Sequence, residues 1–149
     1  MAAVPPTSEE TAAQIRASGL RATASRVAIY RAVCGIQGGH PTVGQVVDRV
    51  RTDSGSASMQ AVYDGLQALA SAGMLRRIEP AGIPARYESR VGDNHHHVVC
   101  RSCGLTRDID CATELAPCLD PAGAAGFVID EAEITFWGLC ANCAASDKS

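Results

Sequence analysis

The chain has 149 residues, 46% of them hydrophobic, with a formal net charge of −3. That supports the cores of one or two small domains. No apolar run approaches the roughly 18 residues that span a membrane, and MAAVPPTSEETAAQ carries neither a basic n-region nor an apolar h-region, so a cytoplasmic protein with no membrane partner is expected. The charge is uneven: up to Arg90 ten arginines face seven acids, a balance of +3, and beyond it three basic residues face nine acids, a balance of −6.

SEETAAQIRASG has Ser or Thr before a double Glu and a Gly at its end, the pattern of a short capped helix. TASRVAIYRAVC predicts a second helix, with Thr23 as N-cap, an apolar stripe of Val27, Tyr30, Val33 and Cys34, and Gly38 and Gly39 as its stop. Cys34 is expected in the core. HPTVGQVVDRV places Val43, Val46, Val47 and Val50 on one helical face behind Thr42. DSGSASMQAVYDGLQALASAG predicts a fourth helix capped by Ser58, with Met59, Val62, Leu66 and Leu69 inward and Gly73 closing it. MLRRIEPAGIPARYESR alternates on either side of a Pro-Ala-Gly turn, a hairpin signal.

Short helices followed by a two-stranded hairpin give the order of a winged helix-turn-helix, in which the helix after the turn enters the major groove. Its first turns would present Ser58, Gln60, Ala61 and Tyr63. A Gln amide can read an adenine edge, and Ala or Tyr can touch a thymine methyl. Arg21, Arg26, Arg76 and Arg77 are expected near phosphates, where arginine positions without reading sequence. A small helical domain with a polar face, or a protein-binding winged helix, has the same pattern.

The acidic part holds denser chemistry. Cys100-x-x-Cys103 and Cys140-x-x-Cys143 form two tight-turn pairs, four of the chain's seven cysteines. In a reducing compartment such pairs read as a metal site rather than a disulfide framework. Four thiolates make a closed tetrahedral cage for Zn(II), so the site is structural rather than catalytic. Three of the four histidines stand together at His95, His96 and His97. On a strand, His95 and His97 share one face and His96 points to the other. Glu88, Asp108 and His40 are the partners expected to complete a mixed site with them, which suits Fe(II), Mn(II) or Zn(II). The bland alternative is a row of exposed polar residues on an edge strand.

HHHVVCRSCG, the closing CANC, the HPT helix start and QAVYDGLQALASAGMLRRI together resemble the ferric uptake regulator (Fur) superfamily over about residues 10 to 145. QAVYD, ARYESRVGDNHHH and FWGLC are most similar to its actinobacterial FurA/CatR branch, which is usually linked to catalase-peroxidase genes. The resemblance implies an α+β protein: a winged-helix DNA-binding domain, residues 1–89, and an α/β metal-binding dimerisation domain, residues 90–149. It also implies a homodimer that binds a palindromic double-stranded DNA operator when a regulatory metal is present, and no enzymatic activity. Carried over position by position, Cys100, Cys103, Cys140 and Cys143 match the structural zinc ligands. His40, Glu88, His95, His97 and Asp108 match the regulatory ligands for Fe(II) or Mn(II), with Zn(II) or Ni(II) as substitutes. Tyr63 matches a base-contacting tyrosine. Glu88 stands where peroxide sensors often have Asp and iron sensors Glu. Many members build a third site with a histidine ahead of the last CxxC; here IDEAEITFWG has none, which leaves His96 without its usual partners.

The signal stays open at this level. Peroxide reacting at Fe(II) would oxidise a ligand histidine, and the FurA/CatR-like segments favour that reading over an iron-sensing repressor of uptake genes. Cys111 and Cys118 could form a regulatory disulfide, or be ordinary semi-buried cysteines. A redox-switched zinc chaperone would share the paired CxxC motifs but leaves the helix-hairpin segment without a role. A metalloenzyme would share the histidines, but no nucleophile elbow, HExxH or phosphate loop accompanies them.

Overall fold

In the computed structural model, residues 4–93, 95–110, 125–129 and 132–146 are described. Among them are five helices and five strands: α1 (Ser8–Ala17), α2 (Ala24–Gly35), α3 (Val43–Ser54), α4 (Met59–Ser71), β1 (Arg76–Ile78), β2 (Arg86–Glu88), β3 (His95–Cys100), β4 (Thr106–Asp110), β5 (Thr135–Gly138) and α5 (Ala141–Ser146). The fold is α+β, in two compact units, Met1–Val91 and Gly92–Ser149.

The first unit is written by local signals. Thr7 and Thr42 each close a capping box, with Glu10 and Gln45 reaching back to the cap amide. Thr23 and Ser58 accept from the backbone N–H three residues on. Each cap satisfies donors that the first helical turn would otherwise leave unpaired. The helices enclose one core of Ile15, Ile29, Ala32, Val33, Val46, Val47, Val50, Val62, Leu66, Leu69, Leu75 and Tyr87. β1 and β2 form the antiparallel hairpin with Arg76 opposite Glu88, and its turn is closed by Ile83 N–H donating to the Pro80 carbonyl, with Gly82 at φ +77°.

Several expectations need correction. The buried stripe of α2 is Ile29, Ala32 and Val33, while Val27, Tyr30 and Cys34 are only partly buried, because the helix packs on a face turned about one residue from the one expected. α2 ends at Gly35, before the two glycines, with Ile36 already extended at its C-cap. Met59 is 54% exposed, since α4 begins there and its first turn overhangs the core.

The second unit carries a three-stranded sheet in the order β4-β3-β5, with β4 antiparallel and β5 parallel to the central β3. The histidines therefore lie on the middle strand, and all three are buried. The edge-strand alternative does not hold. IDEAEITFWG contributes a strand only over Thr135–Gly138 among its described residues. Cys111 and Cys118 lie outside the described residues.

Candidate metal centres and nucleic-acid face

The cysteine cluster is assembled by the sheet. Cys100 ends β3, and the chain turns back through Gly104 (φ +73°), whose N–H donates to the Cys100 carbonyl at 2.9 Å. Cys103 sits in that turn. β5 runs beside β3 so that Gly138 is level with Cys100, which delivers Cys140 two residues later. α5 then begins at once and carries Cys143. All four sulfurs lie within 4.8 Å of one another.

Their electrostatics are in conflict as they stand. Backbone N–H groups of Cys103 and then Cys140 lower the Cys100 thiol to about 6, so that sulfur favours the thiolate. The Ser102 hydroxyl pulls Cys143 down, but the sulfurs of Cys140 and Cys103, with burial, outweigh it and push Cys143 up to about 12. Four thiolates this close repel unless a cation sits among them. The donor set thus fits a soft dication and no open coordination position.

The candidate nitrogen and oxygen donors come from both units, and each unit's set is taken in turn. In the first unit, His40 Nε2 lies 3.0 Å from Glu88 Oε2, both side chains nearly fully buried. The Gly38 carbonyl holds the His40 Nδ1 at 2.8 Å. The loop is stitched to β2 by Tyr87 N–H donating to the Pro41 carbonyl and Arg86 Nη1 donating to the His40 carbonyl. A buried imidazole and carboxylate this close are donor types that suit a borderline divalent cation.

In the second unit, the two-residue period of β3 puts His95 and His97 on one face, ring centroids 5.0 Å apart. Asp108 on β4 is the register partner of His97. Its Oδ1 lies 3.8 Å from His95 Nε2 and 3.7 Å from His97 Nε2. Asp93 Oδ1 meets His95 Nδ1 at 2.8 Å. His96 faces the other way, 5% exposed, and its Nδ1 has no hydrogen-bond partner among the described residues. Sequence reasoning gave Asp93 no role; its place two residues before His95 was the available signal.

Ser58, which caps α4, and Gln60, Ala61 and Tyr63 on it are all exposed to solvent. Gln60 Nε2 donates to Asp64 Oδ1 at 2.8 Å. Arg21 is exposed, and its carbonyl accepts from Arg26 Nη1. Arg77 is exposed beside Glu79, at 2.9 Å. The Arg76 side chain is 17% exposed and its Nε lies 3.9 Å from Glu88 Oε1, because the hairpin register puts the two opposite each other.

Residues 17–136 match the model of the ferric uptake regulator family. The chain belongs to that family. Relatives of this Fur-family chain include the transcriptional regulator FurA of Mycobacterium tuberculosis, 51% identical over 93% of this chain and 92% of the relative. Ferric uptake regulation protein 1 of Mycolicibacterium fortuitum is 51% identical over 83% and 75%. The peroxide-responsive repressor PerR of Staphylococcus aureus is 27% identical over 67% and 66%. The fold is that of the Helicobacter pylori ferric uptake regulator Fur, with a TM-score of 0.70 at 17% identity over 95% of this chain and 97% of that one. The protein is therefore a Fur-family transcriptional regulator.

Proposed function

We propose that this regulator is a metal-dependent DNA-binding repressor that senses peroxide and controls oxidative-stress genes of the catalase-peroxidase type. It works as a homodimer on a palindromic operator. One observation carries the reading: each unit sets buried imidazole beside a carboxylate, His40 with the buried Glu88 in the first and His95 and His97 with the exposed Asp108 in the second. One ion shared by both groups would tie the DNA-reading unit to the dimerising unit. Half-sites lie about 34 to 36 Å apart, so a small error in that tie is amplified at the recognition helix. Moving a hinge from 1:99 to 99:1 needs near 5.5 kcal/mol of differential affinity.

The cysteine cluster would hold Zn(II) and keep the second unit folded. The regulatory group would hold Fe(II) or Mn(II), since imidazole and carboxylate suit such ions. Fe(II), when bound, supplies reducing power for peroxide. The imidazoles of His40, His95 and His97 are the oxidisable side chains of this group; net insertion of one oxygen into a ring, with water as the other product, would destroy a ligand. The 51% identity to the mycobacterial regulators supports this branch. Dimerisation is supported by β5, an edge strand of the described sheet, and by the exposed Phe136 on it and Ile134 just before it. The second reading, an iron-sensing repressor of uptake genes, draws on Glu88, the residue that iron sensors carry at this position.

The deciding experiment is an operator-binding titration of the zinc-loaded protein with Fe(II), Mn(II) and Zn(II), each with and without peroxide. Binding restored by Mn(II) regardless of oxidant, and abolished by peroxide only with Fe(II), supports peroxide sensing. Indifference to peroxide with every ion supports iron sensing. His97→Ala should lose metal-dependent DNA affinity; unchanged affinity would remove the shared-ion proposal.

A further inference from the structure

The two carboxylates near His95 are not equivalent. Asp108 Oδ1 is 3.8 Å from Nε2, beyond hydrogen-bond length, whereas Asp93 Oδ1 is 2.8 Å from Nδ1. His95 is 1% exposed, and the Asp93 side chain that grips its buried ring is 44% exposed. Gly92, at φ +81°, lets the chain bend just before Asp93 and brings its side chain onto the residue two further on. Holding the proton on Nδ1 leaves the Nε2 lone pair on the face where His97 and Asp108 stand. His40 is held in the same sense, its Nδ1 against the Gly38 carbonyl at 2.8 Å. The difference is charge: a neutral carbonyl backs His40 and an anion backs His95. An anionic partner fixes the tautomer and ring orientation and also raises the basicity of the other nitrogen.

We infer that Asp93 is a positioning residue for the regulatory metal, orienting His95 and strengthening Nε2 as a donor without itself touching the ion. This rests on the regulatory-site reading above. Removing such a partner typically costs 10- to 100-fold in metal affinity.

The test uses full-length, zinc-loaded protein and Mn(II) binding followed by the electron paramagnetic resonance signal of the free ion. Asp93→Ala should bind Mn(II) about 10- to 100-fold more weakly. Asp93→Asn, which keeps an acceptor for Nδ1–H but loses the charge, should fall between it and the wild type. Without Mn(II), nitrogen-15 shifts of His95 should report Nδ1–H in the wild type and Asp93→Asn, and a move toward the other tautomer in Asp93→Ala. An unchanged tautomer, or Mn(II) affinity within twofold of wild type in Asp93→Ala while His95→Ala loses binding, overturns the role of Asp93 alone. Wild-type affinity in His95→Ala overturns it together with the regulatory site. Should Asp93→Ala fail to retain its zinc, the Asn variant decides: affinity equal to wild type overturns the contribution of charge.

Discussion

The two units are held together by different means. In the first, twelve buried residues from four capped helices and the hairpin form a continuous core. In the second, the described buried set is Val99 and Cys100 with His95, His96, His97 and Thr106. A core of hydrocarbon is stabilised by leaving water, whatever the redox state or metal supply. A centre made of imidazole and sulfur is stable only when its polar atoms have partners. The difference teaches where regulation can act: the first unit stands on its apolar core, and the second depends on what partners its buried polar atoms find.

The hardest blow to that contrast is metal removal. Stripping zinc with a strong chelator, or making Cys103→Ser, should cost the second unit on the order of 10 kcal/mol. Nuclear magnetic resonance should then lose the dispersed signals of β3, β4 and β5 while α1 to α4 remain. Persistence of the β3 signals without metal would mean that the sheet stands alone. The converse change is Leu66→Ala, fully buried in α4, which should destabilise the first unit by about 2–5 kcal/mol in urea unfolding. Zinc content should not change; if it fell in step, the units would not be energetically separate.

Gly65→Ala sharpens the point at one contact. A Cβ there would come within 2.3 Å of Ile29 Cδ1, and Ile29 is fully buried, so about 1–3 kcal/mol of overpacking is expected between α2 and α4. A thermal midpoint equal to wild type would show that Ile29 repacks without cost. Thr42→Ala should remove about 1 kcal/mol by deleting the α3 cap, and a double variant with Thr7→Ala should be additive in urea unfolding. The smallest effect concerns Cys34. Burial raises its thiol above the ordinary 9.0, against the opposing hydrogen bonds from Ser89 and Tyr30. The neutral thiol is the form the fold favours, so its small stabilisation is present below pH 9 and is lost as pH rises beyond that. Mass spectrometry after alkylation at pH 8 should find Cys34 largely unmodified; rapid labelling would place it in an open environment.

The sequence carried much of the first unit. Thr23, Thr42 and Ser58 announce three helix starts because a cap acts on amides two or three residues away. The exposure of Gln60 and Tyr63 follows from helical period alone. The approach of Arg76 to Glu88 was not legible, because cross-strand register, not local pattern, sets the two opposite each other. The α2 stripe was misread for a related reason: Ala32 is weakly apolar by type, and only packing selects its face.

In the second unit, the candidate donors were legible and their assembly was not. Cys100-x-x-Cys103 and the alternation of His95 and His97 are short-range facts, readable from turn geometry and the strand period. The parallel pairing of β5 with β3 joins segments more than thirty residues apart in sequence, and nothing local encodes it. That pairing brings Cys140 to Cys100, and the central position it gives β3 keeps all three histidines from water. Residue types and spacing therefore determined which atoms could bind a metal. Tertiary structure alone decided which meet, because desolvation and register depend on neighbours far away in the chain.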